Sequence, residues 1–304
     1  MKIRFGVGLG VGNVLDGPAQ LGAVVDRLEA LGFDSLWMSD RVTGAALDPI
    51  AALAFAAGRT ERLKLGTNVL VLPGRDPFLM ARQLAAIDQL SGGRLLPAVG
   101  LGSPSSADRP PFGVPKGRRA ALFEEGLAVI RELWRDGGSV PHPDGGRPMT
   151  IDPKPTKPLE IWFGGRSEPA LRRAGRLSDG WIGSFQSPAD CGAARRTIVD
   201  AARAAGRTID DDHFGTAIFY ARDRRTELGE LIVKTLSESA PGQSGRGGVY
   251  VPEVLLPLGA DQLTAVVEEY VAQGISKFVL VPDQPEDWDA ELDWLRSVTG
   301  PLET

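Results

Sequence analysis

Cysteine and histidine are scarce in this sequence, and their scarcity excludes several classes of site. The 304 residues include one cysteine, Cys191, and two histidines, His142 and His213. A single cysteine excludes a disulfide framework and a cysteine-based zinc site. Two histidines argue against a multi-histidine metal centre. We therefore predict no metal at the functional site, and the near absence of cysteine suits a reducing compartment such as the cytoplasm.

A basic excess and long apolar runs are also missing. The chain has 34 basic and 39 acidic residues, a net charge of −5, whereas general nucleic-acid binding needs a basic face. No apolar run reaches the roughly 18 residues of a membrane span. The N-terminal segment MKIRFGVGLG lacks the cleavage pattern of a signal peptide. We expect a partner that is a small molecule, with no nucleic acid and no membrane.

What the sequence does contain is a repeated alternation of strand and helix patterns. Apolar residues at 21, 24, 25, 28 and 31 form one helical stripe, Gly32 is placed to end it, and an apolar strand follows at 34–38. Eight such units, with strands that read as apolar runs, predict a (β/α)₈ TIM barrel. Two wide gaps predict insertions near 104–158 and 222–262 in a single domain of residues 1–304. An open doubly wound sheet is the alternative.

The carboxyl ends of the predicted strands are where a barrel carries its active site. Glycine recurs at four of these eight ends. Because glycine lets the backbone approach a ligand closely, this rim predicts a flat ligand held by main-chain groups. The alternative interpretation is that each glycine only turns a strand into a loop.

The segment GGRSEPALRRAG, residues 164–175, carries the clearest local signal. Ser167 is a plausible helix N-cap, with Glu168 and Pro169 in the first turn. Free N–H groups there, next to Gly164 and Gly165, would bind a phosphate, and Arg166 adds a positive charge. An ordinary β-to-α turn is the competing interpretation.

Four segments stand out in chain order: LGFDSLWMSD, LGTNVLVLP, QLSGGRLLPAVGLG and GGRSEPALRRAGRLSDGWIG. Together they resemble the luciferase-like monooxygenase superfamily, and more narrowly its oxidoreductases that use coenzyme F420, a deazaflavin. The resemblance covers nearly the whole chain and is weakest in the two insertions. It is less specific for the cofactor, because members that use flavin mononucleotide (FMN) share much of the pattern.

The resemblance implies roles for matching positions. Asp40 corresponds to a carboxylate that contacts the edge of the deazaflavin ring, and Asn68-Val69 to a non-prolyl cis peptide behind the ring. Other positions would line the ring or cradle the phosphate. With two strand-end residues added, the predicted cofactor-binding set is Gly8, Asp40, Asn68, Val69, Val71, Leu101, Gly102, Gly164, Gly165, Arg166, Ser167, Glu168 and Ser184. Arg118, Arg119 or Arg246 could meet the anionic tail of the coenzyme.

Two departures separate the chain from the sugar-phosphate dehydrogenases of that branch. Their basic histidine is replaced by Arg41 and their glutamate by Ser103, so we do not expect a glucose-6-phosphate dehydrogenase. Arg41 stays charged and cannot act as a base; it would stabilise developing negative charge or pair with Asp40. The predicted catalytic residues are Asp40, Arg41 and Ser103, with Ser103, Tyr220 or water as the proton donor.

The sequence thus predicts an F420-dependent oxidoreductase that transfers a hydride to or from a small organic substrate. One alternative is an FMN-dependent luciferase-like monooxygenase that uses reduced flavin and oxygen. A second alternative is a protein that binds the flavin or deazaflavin without turnover. Barrels of this superfamily tend to pair, so a homodimer is expected.

Overall fold

The computed structural model describes residues 1–10, 13, 15, 17–43, 45–102, 110–243 and 252–304. Within these ranges ten short strands form one sheet, and each neighbouring pair of strands is parallel. The strands are β1 (Arg4–Leu9), β2 (Ser35–Met38), β3 (Lys64–Thr67), β4 (Leu70–Val71), β5 (Leu95–Leu96), β6 (Ala98–Gly100), β7 (Trp162–Gly164), β8 (Gly180–Ser184), β9 (Phe214–Tyr220) and β10 (Lys277–Pro282).

These ten strands make a closed ring of eight barrel strands, because two barrel strands are interrupted. Asn68 and Val69 separate β3 from β4, and Pro97 separates β5 from β6. β3 pairs with β5 and β4 with β6, so the two halves of one interrupted strand face the two halves of the other. β1 pairs with β10 and closes the ring. The predicted (β/α)₈ barrel is confirmed, and the open doubly wound sheet is excluded.

Helices cover the outside of the ring, and several begin at the same local signal. Asp48, Asp76 and Ser187 each accept hydrogen bonds from first-turn N–H groups, and each is followed by proline, which lacks the N–H that would go unpaired. The helices are α1 (Pro18–Leu31), α2 (Pro49–Ala57), α3 (Pro77–Leu90), α4 (Arg119–Trp134), α5 (Glu168–Leu177), α6 (Pro188–Ala204), α7 (Glu227–Gln243), α8 (Pro252–Leu255), α9 (Gly259–Ala272) and α10 (Trp288–Thr299).

The predicted helical stripes become the outer core. In α1, Val24, Val25 and Leu28 are at most 1% exposed. Burying each such side chain stabilises the fold by about 1.5 to 3 kcal/mol. Gly32 ends α1 with a φ of 71°, a left-handed conformation that glycine adopts at little cost.

The inside of the barrel is filled by two indole rings that lie on glycine backbone. A Cβ atom added to Gly66 would lie 2.3 Å from the ring of Trp37. One added to Gly180 would lie 2.4 Å from the ring of Trp162. Both tryptophans are buried, and Trp37 Nε1 donates to Ser35 Oγ at 2.8 Å. The indoles can cross the interior only because these strand positions lack side chains.

Both predicted insertions are present. The first holds α4, a 3₁₀ turn at Pro110–Phe112 and an antiparallel bridge between Val140 and Met149. The second holds α7 and α8, ahead of the barrel helix α9. Across the described ranges, we find no helix with the length and apolar character needed to cross a bilayer.

On the outer surface of the barrel, a buried polar pair joins β9 to α10. The ring of Tyr220 stacks on Trp294 with centroids 5.7 Å apart, and its hydroxyl lies beside Glu291. Glu291 is 6% exposed. Burial raises the pKa of the Glu291 carboxyl, with Tyr220 and Arg222 acting in the opposite direction.

We expect Gly180→Ala to lower the free energy of unfolding by about 2 kcal/mol, because the new methyl group would displace the Trp162 indole. Urea denaturation measures the change. Gly58→Ala is the control: Gly58 has a φ of −76°, and its nearest neighbouring atom would be 3.9 Å away. That variant should match the wild type or gain up to about 1 kcal/mol. Equal losses in both variants would contradict the packing role.

Glu291→Gln should make stability less dependent on pH. The raised folded-state pKa means that Glu291 favours folding at pH values below its unfolded pKa of about 4.3, and that this contribution is lost as pH rises through the folded value. The variant should therefore exceed the wild type in Tm at pH 7 and approach it near pH 4. The control is Glu286→Gln, which changes an exposed carboxylate. If the difference in Tm between the wild type and Glu291→Gln were the same at every pH, the raised pKa of Glu291 would be refuted.

Candidate active site

The carboxyl ends of the barrel strands form an opening that we call the mouth. All predicted cofactor-binding residues lie at the ends of β1, β2, β3, β4, β6, β7 and β8 or directly after them. The predicted cis peptide between Asn68 and Val69 is present. It lies between β3 and β4, where the third barrel strand is interrupted.

Val69, which completes this peptide, and Val71 pack on glycines at the mouth. We call these two residues the valine platform. A Cβ on Gly100 would lie 2.6 Å from Val69 Cγ2, and one on Gly164 2.8 Å from Val69 Cγ1. A Cβ on Gly102 would lie 3.0 Å from both γ-carbons of Val71. These glycines make room for protein side chains, which accounts for their missing Cβ atoms without a ligand. The prediction that they bind a cofactor through main-chain groups stays a prediction.

The rim glycine of β1 has the same explanation. Gly8 is buried, and a Cβ there would lie 2.7 Å from Val281 and 2.9 Å from Val279. It therefore serves packing between β1 and β10. Gly183 in β8 likewise faces the Trp181 ring at 2.6 Å.

A buried ion pair fixes the valine platform. The side chain of Asp40 is 2% exposed, and its two oxygens accept from Arg75 Nη2 at 2.8 and 2.9 Å. One oxygen also accepts from the N–H of Val71 at 2.9 Å. Arg75 Nε donates back to the Val71 carbonyl at 3.0 Å, and its guanidinium lies 5.6 Å from the centre of the Phe112 ring. The pair thus ties the end of β2 to β4.

The sequence predicts Arg41 as one possible partner of Asp40, but Arg75 is the cation that binds this carboxylate. Arg41 is exposed at the same edge. Arg75 was missed because it lies 35 residues further along the chain. The available signal was its position, just after the end of β4 in the segment LVLPGRD.

The start of α5 has the form that anion binding requires. Ser167 occupies the N-cap position with extended backbone, and its hydroxyl makes no capping hydrogen bond, so first-turn N–H groups remain available. Gly165 has a φ of 121°, and its carbonyl accepts from Trp181 Nε1 at 2.9 Å. Glu168 pairs with Arg172 at 2.7 Å. Its backbone N–H, rather than its carboxylate, is the group suited to a phosphate.

Arg166 extends from this turn toward β8. It is exposed, and its Nη1 donates to the carbonyl of Phe185 at 3.4 Å. Phe185 follows Ser184 at the end of β8, with a φ of 54°. A cation, a glycine turn and a helix N-terminus therefore meet at the mouth, which fits the phosphate group of a flavin or deazaflavin.

Two predicted proton donors have different outcomes. Ser103 lies outside the described residues, so its role stays a prediction. Tyr220 is fully buried against α10, on the outer side of β9, and does not face the mouth. Its preceding neighbour Phe219 faces the interior instead. Tyr220 is therefore wrong as a proton donor.

Other candidates are structural. Burial raises the pKa of the Cys191 thiol to about 12, which makes it a poor nucleophile. Nothing in the described part of the chain groups three or more potential metal ligands. His213 lies at the opposite end of the barrel from the mouth, as expected.

We predict that Arg75→Met lowers the free energy of unfolding by about 2 to 3 kcal/mol, since it leaves a buried carboxylate without its cation. Adding Asp40→Asn to it should recover part of that loss, and urea denaturation of the double-mutant cycle measures the coupling. Arg118→Met is the control, because Arg118 pairs with Glu125 on the exposed surface of α4. Additive losses in the cycle would show that the two residues do not act as a pair.

Two known proteins are similar to this chain in sequence. The chain is 28% identical to a phthiodiolone/phenolphthiodiolone dimycocerosates ketoreductase of Mycobacterium kansasii, over 89% of this chain and 88% of the relative. It is 35% identical to an F420-dependent glucose-6-phosphate dehydrogenase of Beutenbergia cavernae, over 54% of this chain and 52% of that protein.

Solved structures share the fold of this chain, and a family model shows which family the chain belongs to. An F420-dependent secondary alcohol dehydrogenase, in complex with an F420-acetone adduct, superposes with a TM-score of 0.79 at 20% identity, over all of both chains. The oxygenating constituent of 3,6-diketocamphane monooxygenase from Pseudomonas putida, in complex with FMN, gives 0.74 at 15% identity, over 100% of this chain and 98% of that one. The luciferase-like monooxygenase model matches residues 1–273, and the chain belongs to that family of enzymes.

Proposed function

We propose that this protein is a coenzyme F420-dependent oxidoreductase that transfers a hydride to or from a small, apolar organic substrate. The observation that carries the proposal is the mouth itself. It combines the valine platform with a helix start, at α5, whose first-turn N–H groups have no side-chain cap. The first suits a planar ring and the second suits a phosphate joined to it.

The apolar lining of the mouth supports an uncharged substrate. Phe185 and Phe219 stack with ring centroids 4.6 Å apart and planes at 17°. Val281 of β10 and two residues of the second insertion, Val233 and Leu256, belong to the same apolar cluster. A charged sugar phosphate would lose hydration on this wall without gaining a partner there. An apolar ketone or alcohol, or a compound with an activated C=C or C=N bond, has no charge whose hydration would be lost.

The chain's own groups would bind and orient, because a bound deazaflavin supplies the hydride chemistry. Asp40 and Arg75 hold the backbone of Val71, and through it the platform. The N–H groups of the first turn of α5 and the guanidinium of Arg166 would hold the phosphate. Arg119 lies against Gly102 at the mouth and is placed to meet an anionic tail. Arg41 would stabilise negative charge that develops on the substrate, and Ser103 is retained as proton donor.

The departures at Arg41 and Ser103 support a reaction other than sugar-phosphate oxidation, although an F420-dependent glucose-6-phosphate dehydrogenase is among the relatives. The ketoreductase relative, which covers more of the chain, favours a carbonyl or alcohol substrate. We also propose a homodimer, which light scattering tests directly.

Arg166→Gln should weaken F420 binding roughly tenfold, because it removes a charge-assisted contact to the phosphate. Quenching of coenzyme fluorescence during titration measures the affinity. Arg176→Gln, in the last turn of the same helix and paired with Glu124, is the control and should leave the affinity within about twofold. Equal effects of the two variants would argue against a phosphate site at the start of α5.

The cofactor and the reaction are tested with the wild-type protein. It should bind F420 more tightly than FMN, and it should exchange hydride with at least one member of a panel of apolar ketones, secondary alcohols, enones and imines. Tight binding of FMN alone, with oxygen-dependent product formation, would establish the monooxygenase alternative. Tight F420 binding with complete inertness across the panel would favour the non-catalytic alternative.

A further inference from the structure

A second cavity lies at the opposite end of the barrel from the mouth. Its volume is about 180 Å³, and its lining comes from the amino-terminal ends of the strands. The first residues of β1, β3 and β10, which are Arg4, Lys64 and Lys277, contribute three cations to it. The indoles of Trp37 and Trp162 contribute an aromatic wall. Barrel enzymes keep their catalytic groups at the other face, so this cavity is separate from the site proposed above.

Two hydrogen-bond donors in this cavity lack acceptors. Trp162 is 6% exposed, and its Nε1–H has no hydrogen-bond partner among the described residues. Lys277 is half-buried and forms neither a hydrogen bond nor an ion pair through its ammonium group with any described residue. Burial lowers the pKa of that ammonium group. A buried donor is nearly always paired, so the Nε1–H of Trp162 indicates a missing acceptor, and Lys277 offers a cation in the same cavity.

The other two lysine and arginine side chains that line the cavity, Lys64 and Arg4, already face a carboxylate. Asp34 Oδ1 accepts from Lys64 Nζ at 2.8 Å and lies 3.9 Å from Arg4 Nε. Glu160 lies 3.6 Å from His213 Nε2. His213 Nδ1 donates to the carbonyl of Asp179 at 2.9 Å, since a carbonyl can only accept. Lys277 is therefore the lining lysine or arginine with no carboxylate at ion-pair distance among the described residues, and Asp34 and Asp212 act on it only from longer range.

The size and polarity of the cavity limit the class of ligand that it can bind. A cavity of roughly 150 Å³ lined by apolar side chains accepts a benzene ring, so this one has room for a single ring. Leu96 and Val279 extend the apolar wall made by the two indoles. A carboxylate on such a ring would supply the acceptor oxygens that Lys277 and Trp162 lack.

We propose that the amino-terminal end of the barrel is a binding site for a small aromatic monocarboxylate, with its ring against Trp37 and Trp162 and its carboxylate on Lys277 and Trp162 Nε1. The site is independent of the cofactor and substrate proposed above, because the indole layer separates it from the mouth. Its chemistry requires no turnover and no redox group.

The test compares benzoate with two analogues of similar size, benzyl alcohol and benzylamine. Isothermal titration calorimetry of the full-length wild-type protein, at pH 7 and constant ionic strength, should show saturable benzoate binding. Benzyl alcohol should bind at least roughly tenfold more weakly, since it forms no ion pair, and benzylamine should not bind. Quenching of tryptophan emission by benzoate gives a second readout near the two indoles.

Two variants of lining residues test whether benzoate binds in this cavity. Lys277→Met should weaken benzoate binding roughly tenfold or more, whereas Lys2→Met, on the same face but outside the lining, should leave it unchanged. Trp162→Phe removes the N–H and keeps a ring, and it tests the site even if Lys277→Met fails to fold. Equal affinity for benzoate and benzyl alcohol, unchanged binding in both cavity variants, or displacement of benzoate by F420 would each overturn the proposal.

Discussion

Contact between large side chains and glycine backbone on the inner wall is the constraint on which this structure depends. Trp37 lies on Gly66, Trp162 on Gly180, and Val69 on Gly100 and Gly164. In each case a methyl group on the glycine would occupy space that the neighbouring side chain already fills. Protein interiors have little free volume to absorb such a change. The barrel is therefore a packed core in its middle, with the candidate active site at the mouth and a cavity on the other side of the indoles.

The ion pair of Asp40 and Arg75 has a similar constraining role in the mouth. Charges that are removed from water are stable only when they are paired and hydrogen-bonded. Arg75 satisfies Asp40 and also grips the Val71 backbone, so electrostatics and strand geometry are coupled at one point. On the side of β9 and β10 the wall consists of apolar side chains such as Phe219 and Val281, which is why we favour an uncharged substrate.

The sequence predicted the architecture well because its signals are local. Helical stripes, proline-marked helix starts and Gly32 each report on a few neighbouring residues. It also predicted the position of the mouth, since strand ends in a parallel barrel share one edge. The cis peptide between Asn68 and Val69 was predicted from family resemblance and is present.

Features that depend on contacts between distant residues were not predictable in this way. Nothing near Asp40 in the sequence indicates Arg75, and nothing near the rim glycines indicates that valines from other barrel strands occupy the space beside them. Tyr220 and Phe219 differ by one residue, and only the pleat of β9 decides which of them faces inward. The roles assigned to the predicted cofactor-binding residues remain predictions.

The second insertion gives the enzyme a separable part. Val233 and Leu256 reach the apolar wall from outside the repeating pattern of strand and helix. The ion pair, the valine platform and the start of α5 all belong to that pattern. The proposed substrate wall therefore draws on a stretch of chain that the proposed cofactor site does not use. A change in the second insertion would alter that wall while leaving in place the residues that we propose hold the cofactor.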